Sequence, residues 1–368
     1  MPATDLLSQL DRLAQIEPGP FPVVSLYLNM QPDQRGRDNF EPFLRKELDR
    51  RVATYAAAGP DRDSLEKDAA AIREHLGDVE PSANGLALFS SSGADLFEAI
   101  TLAAPVSRHR LSIANQPHLY PLAQLVDRFP RYIVLVADTR SARLFVVAAN
   151  TIERSAEIEG TRTRRHSMGG WSQARYQRHV ENYHLHHAKE VADALGRLVR
   201  DESIGAIILA GDEVILPLLR EQFTKEVTER VVDTLALDIR APEHEILEMT
   251  RDAMHRKDEQ NDRERVEGLL GEYRANGLAT VGVENTKLAL EMGQVDELVL
   301  TAIPDVIDLP NSAIPRDTDP ALDRTPEERA ADELILKARQ TGARISFIEE
   351  GSLLASAGGV GAFLRFAL

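Results

Sequence analysis

Cysteine is absent from this chain of 368 residues. That excludes a disulfide framework, a thiolate nucleophile, an iron–sulfur cluster and any cysteine zinc site. Aromatic residues make up only 5%, and there is one tryptophan, Trp171. Long apolar runs are missing too. Stretches such as Ile133–Ala137 and Ala206–Ala210 have strand length and fall far short of the ~20 residues of a membrane helix. The first residues, MPATDLLSQLDRLAQIEPGPF, carry acids early and show no cationic start before an apolar core, so a signal peptide is not expected. Positive charge is in deficit, with 43 Lys+Arg against 59 Asp+Glu and a net charge of −16. Such a total argues against indiscriminate nucleic-acid binding, but it says nothing of how charge is distributed.

What is present suits a folded protein: 43% hydrophobic and 28% charged residues. At roughly 100–200 residues per domain the length accommodates two or three domains. Three segments of alternating strand and helix patterns are expected: 1–129, 130–274 and 275–368. The first has strand patterns at Val23–Leu28, Gly85–Ser90 and Leu96–Thr101, and helical patterns at Phe43–Ala57 and Asp63–His75. The second opens with a hairpin, Tyr132–Ala137 and Arg143–Ala148, around Asp138-Thr139-Arg140-Ser141. A polar stretch, Glu153–Ser172, follows. Then Val180, Tyr183, His187, Val191, Leu195 and Leu198 recur at helical spacing, ahead of a buried strand Ile204–Ala210 and a charged helix Glu243–Tyr273. The third segment alternates short strands and helices, as a compact α/β sandwich does. Its Pro- and Asp-rich Pro304–Thr325 has the composition of a solvated loop.

Common catalytic signatures are lacking: no Walker-A loop, no G-x-S-x-G elbow, no H-E-x-x-H helix and no dinucleotide fingerprint. His184 and His187 stand three apart and could share a face, but no carboxylate is placed as a third zinc ligand, so packing is the expectation. Asp138 and Asp212 each follow a strand, where turn formation is the commoner use of an acid. No catalytic, metal or cofactor site is therefore expected.

The informative segment is Thr161–Val180, TRTRRHSMGGWSQARYQRHV. It contains Arg162, Arg164, Arg165, Arg175 and Arg178, with His166 and His179, and not a single acid. Guanidinium forks suit phosphate oxygens, and binding by several of them is salt-dependent. Gly169 and Gly170 allow close backbone approach, Trp171 offers a stacking face, and Ser172 can cap the helix that follows. These features point to RNA binding; the plain alternative is a solvated loop before a helix.

At this point the sequence resembles a known family: the archaeal and eukaryotic peptide-chain release factors, Pelota and their bacterial relatives. Gly169-Gly170-Trp171-Ser172-Gln173-Ala174-Arg175-Tyr176-Gln177-Arg178 is similar to the release-factor stretch that begins Gly-Gly-Gln and opens a long helix. Gly282-Val283-Glu284-Asn285-Thr286, Ala289–Val295 and Gly358–Arg365 resemble the family's C-terminal domain. Gly85–Phe89 and Phe97–Leu122, ending Pro117-His118-Leu119-Tyr120-Pro121-Leu122, fit more loosely.

The resemblance implies a three-domain α/β architecture: an N-terminal domain of decoding-site type, an RNase H-like middle domain and a C-terminal α/β sandwich. It implies a cytoplasmic, monomeric factor in the A site of the 70S ribosome, touching rRNA, with elongation factor EF-Tu as a possible partner. Two departures shape the expected function. Trp171 stands where release factors have the glutamine that places the hydrolytic water, and an indole accepts no hydrogen bond. The Asn-Ile-Lys-Ser stop-codon motif is also missing. A non-hydrolytic, Balon-like hibernation factor is therefore expected. The alternatives are a rescue or release factor that hydrolyses peptidyl-tRNA or cuts tRNA through His166 or Gln173, and a binder of non-ribosomal RNA.

Overall fold

The computed structural model describes residues 4–31, 40–56, 58–78, 84–102, 104–128, 131–148, 151–159, 173–202, 204–309 and 324–366. By internal packing they form two units: 1–129 with 259–368, and 130–258. Each of the three segments expected from sequence holds one sheet. The first and third pack as a single unit, however, and the second boundary falls at 258, inside a helix, rather than at 274.

The first segment contains α1 (Thr4–Ala14), β1 (Val23–Asn29), α2 (Phe40–Val52), α3 (Pro60–Gly77), β2 (Gly85–Ser91), β3 (Leu96–Leu102), β4 (Arg110–Ala114) and α4 (Tyr120–Arg128). The middle contains β5 (Tyr132–Ala137), β6 (Ser141–Ala148), β7 (Thr151–Glu159), α5 (Gln173–Glu202), β8 (Ala206–Gly211), α6 (Ile215–Gln222), α7 (Lys225–Arg230), β9 (Val231–Leu235) and α8 (Glu243–Arg274). The last contains β10 (Ala279–Val281), α9 (Val283–Glu291), β11 (Val295–Thr301), α10 (Pro326–Gln340), β12 (Arg344–Ile348), α11 (Gly351–Leu354) and β13 (Val360–Leu364).

In the first unit, an antiparallel sheet of order β3-β2-β1-β4 alternates its side chains between two cores. Val24, Leu26, Leu28, Leu86 and Leu88 pack against α2 and α3. Tyr27, Ala87, Phe89, Ile100 and Leu102 face the other way, into one cluster with α1, α4, α10 and the Leu298 and Leu300 side of the last sheet. That sheet, of order β10-β13-β11-β12, turns Val299 and Ile348 to its other face, against Val266 and Leu269 of α8.

A buried polar hub crosses from α10 to α4. Asp332 accepts the backbone N–H groups of Leu119 (2.9 Å) and Tyr120 (2.8 Å) at one carboxylate oxygen. Its other oxygen receives His118 Nδ1 (2.8 Å) and Arg324 Nη1 (2.6 Å). With a carboxylate opposite, Nδ1 is the protonated nitrogen. One turn earlier on α10, Glu328 pairs with Arg110. Tyr27 donates its hydroxyl to the His118 carbonyl, and Tyr120 donates its own to the Thr301 carbonyl.

The second unit is built on a mixed sheet of order β7-β6-β5-β8-β9. β5 and β8 pair in parallel and are buried on both faces, which is why both are near-continuous Ile, Val, Leu and Ala. Ile133, Leu135, Ile207 and Leu209 face α5, α6 and α7; Tyr132, Val134, Val136 and Ile208 face α8. No helix among the described residues is long and apolar enough to cross a membrane.

Candidate nucleic-acid interface

The basic stretch lies between β7, which ends at Glu159, and α5, which begins at Gln173. Arg162, Arg164, Arg165, His166, Gly169, Gly170, Trp171 and Ser172 fall outside the described residues. Arg175 and Arg178 belong to the first two turns of α5 by backbone. Those turns follow the expected helix start, and the first carries no acid. A helix N-terminus exposes unpaired N–H groups and the positive end of its dipole, so an acid-free first turn keeps that end attractive to anions.

α5 is fixed by its second half. Ala188, Val191, Leu195 and Val199 sit on one face and pack into the core made by β5, β6 and β8. At 1.5 Å per residue its 30 residues span about 45 Å. His187 is the first buried side chain on the helix among those described, and the grip continues to Val199.

On the other flank, β7 pairs with β6 and, among the described residues, with no other strand, and most of its side chains are exposed. A bulge between the Val147–Ile152 and Val146–Arg154 pairs shifts the alternation, so Ile152 and Ile158 point into opposite cores although six residues separate them. Arg131 Nε (3.1 Å) and Nη2 (2.7 Å) grip one oxygen of Glu153, the extra residue of that bulge. Charged side chains along such an edge discourage pairing with other strands.

Several other arginines of this unit are committed within the protein. Arg143 donates to the carbonyls of Ile239 (3.2 Å) and Ala241 (2.8 Å) and lies over the Phe145 ring. Arg220 donates to Thr234 Oγ1, and Arg230 pairs with Glu226.

Among the described side chains of α5, His184, His186 and His187 do not converge. His187 is buried and neither of its ring nitrogens has a partner among the described residues. His186 is exposed beside Glu190 (3.3 Å), and His184 stands edge-on to Tyr183. Among the described residues no group of three or more His, Asp or Glu side chains could hold a metal ion.

Asp138 and Asp212 follow the paired residues Ala137 and Gly211, so they neighbour one another at the ends of β5 and β8. Each serves as a turn acceptor. Asp138 Oδ1 takes the N–H groups of Arg140 and Ser141 (both 2.7 Å), and Asp212 Oδ1 takes those of Val214 and Ile215 (both 2.9 Å). Sequence reasoning found these turns but not the Asp332 hub. The hub's only local signal was Pro117-His118-Leu119-Tyr120, and its partner acid is 214 residues away.

Comparison with known proteins bears on the same region. The pattern of bacterial archaeo-eukaryotic release factor family 10 matches residues 117–255, which hold the basic stretch and α5. Peptide chain release factor subunit 1 of Archaeoglobus fulgidus is 22% identical over 329 residues, covering 78% of this chain and 79% of that protein. Among solved structures, an archaeal translation termination factor is similar over 100% of this chain and 99% of its own, at 17% identity and a TM-score of 0.28. Archaeoglobus fulgidus Pelota is similar over 77% and 80%, at 16% identity and a TM-score of 0.34. A chain from the structure of ribosome-bound archaeal Pelota and ABCE1 is similar over 100% and 95%, at 13% identity and a TM-score of 0.41. On the match across residues 117–255 and the release-factor likeness along more than three quarters of both chains, this chain is similar to proteins of the release factor/Pelota superfamily.

Proposed function

We propose that the protein is a ribosome-binding translation factor that occupies the A site of the 70S ribosome without hydrolysing peptidyl-tRNA and so protects idle ribosomes. One observation carries this reading. In a chain of net charge −16, twenty consecutive residues, Thr161–Val180, hold five arginines and no acid, with Trp171 in the place where the resembled motif has glutamine. Arg162, Arg164, Arg165, Arg175 and Arg178 would lie on rRNA phosphates, and Trp171 would stack on a base. An indole cannot accept the hydrogen bond that orients a water, so binding without hydrolysis follows from the same substitution. The acidic remainder repels stray phosphates and favours one docking pose over coating of RNA. The third segment is the proposed docking face for an elongation factor such as EF-Tu, and the cytoplasm is where such a complex would form.

The test is co-sedimentation with vacant ribosomes over a salt series. Replacing Arg162, Arg164 and Arg165 with alanine is expected to weaken binding sharply and to reduce the log–log salt slope by about 2–3. Equal binding of the triple variant at every salt concentration would remove the basic stretch as the anchor. Stalled ribosome–nascent-chain complexes supply the second arm: no peptide release and no tRNA cleavage are expected. Release that depends on Gln173 would make the protein a hydrolytic rescue factor instead.

A further inference from the structure

The first unit is joined by two kinds of contact with different physical character. Its shared core is aliphatic and aromatic: Tyr27, Phe89, Ile100, Leu102, Leu119 and Leu122 meet Leu298, Leu300, Leu334, Ile335 and Phe347. Apolar burial is strong but non-directional, and many slightly shifted dockings of α10 and α4 would bury similar area. The hub is the opposite. Asp332 and Glu328 stand four apart on α10, hence on one face, and receive His118, Arg324 and Arg110. Shifting α10 by one residue would misplace both acids at once. The hub is also a costly source of stability. Charges are taken out of water, and two of its nitrogens, His118 Nε2 and Arg324 Nε, are buried with no partner among the described residues.

We infer that the His118–Asp332–Arg324 cluster is a registry device: it selects the single docking of the C-terminal segment on the N-terminal one, while the apolar core supplies the affinity. The two sheets then present one fixed composite surface. This holds whatever the whole protein binds.

The test uses the full chain and a variant that removes charge but keeps hydrogen bonds. In Arg324→Met with Asp332→Asn, the new amide oxygen can still accept from Leu119 and Tyr120, and its NH₂ can donate to the alternative tautomer of His118. The expected result is a denaturation midpoint equal to or above wild type, together with doubled or broadened methyl signals from Leu119, Leu122, Leu334 and Ile335. Amide exchange across 119–123 should accelerate at least about tenfold. A midpoint lowered as far as in Asp332→Ala would make the cluster an ordinary stabiliser and overturn the inference. A single sharp set of methyl signals with wild-type exchange would overturn it as well. His118→Asn, whose amide can replace Nδ1–H, should retain one register; His118→Leu should not.

Discussion

Gly211 shows how much one missing methyl group can decide. It closes β8 with φ +147°, and a Cβ there would lie 2.0 Å from the Ala137 carbonyl oxygen on the paired strand. Backbone cannot yield as a flexible side chain can. Gly211→Ala is expected to destabilise the second unit by more than about 2 kcal/mol, measured by urea denaturation. At Asp332, burial by itself would raise the carboxyl, but its interactions with His118 and with the Arg324 guanidinium prevail and hold it below the ordinary range. Removing that carboxylate with Asp332→Ala should cost about 3–5 kcal/mol, because Arg324 is left buried and unpaired. The sign of the pH effect follows from the lowered value. The contribution is complete above the ordinary aspartate range near pH 4 and is lost as pH falls through that range toward the folded value. Asp332→Asn should therefore flatten the acid limb of stability below about pH 4, and an unchanged limb would contradict the assignment.

Elements with a strong period were legible in the sequence, and those without one were not. The hairpin of β5 and β6 declares itself as two apolar runs of strand length around a polar turn, and the gripping half of α5 as an apolar period on one face. β7 went unseen as a strand: it lies at a sheet edge, carries Glu153, Arg154, Glu157 and Glu159, and the bulge breaks what alternation remains. α7 and β9 were missed for a related reason, since both are short and mostly only half-buried or exposed. Helix ends carry their own signals. Thr325 and Glu328 form a reciprocal capping box at the start of α10. Thr325→Ala should cost about 1 kcal/mol of stability and Thr325→Ser little, as read by thermal unfolding. On α5, His187 fills a core position with an imidazole that finds no partner among the described residues. His187→Leu is expected to raise stability by about 1 kcal/mol in a denaturation series, with no effect of added zinc on either protein. A loss of stability would mean that His187 has a polar role.

At the level of the whole molecule, the alternation of strands and helices announced α/β segments, and residue 129 as the first boundary, directly. The joining of the first and last segments was not legible, because it depends on contacts such as His118–Asp332 between residues 214 apart. The candidate interface was the reverse case. Its residues stand together in the chain, so composition alone suggests it, and most of them lie outside the described residues. The two-unit arrangement makes a further prediction. Residues 130–258 enclose their own sheet and cores, so this piece should unfold cooperatively by itself. Residues 1–129 alone would expose Tyr27, Phe89, Ile100 and Leu102 and should aggregate unless 259–368 is supplied.

The discontinuous first unit also has a bearing on how the protein is made. Its N-terminal sheet leaves the translating ribosome early, but the helix carrying Asp332 follows about 200 residues later, which takes on the order of 10–40 s at usual synthesis rates. For that interval an oily face waits uncovered on a nascent chain while the middle unit folds ahead of it. A protein of this topology reaches safety only at the end of its own synthesis, and chaperone dependence should track elongation speed.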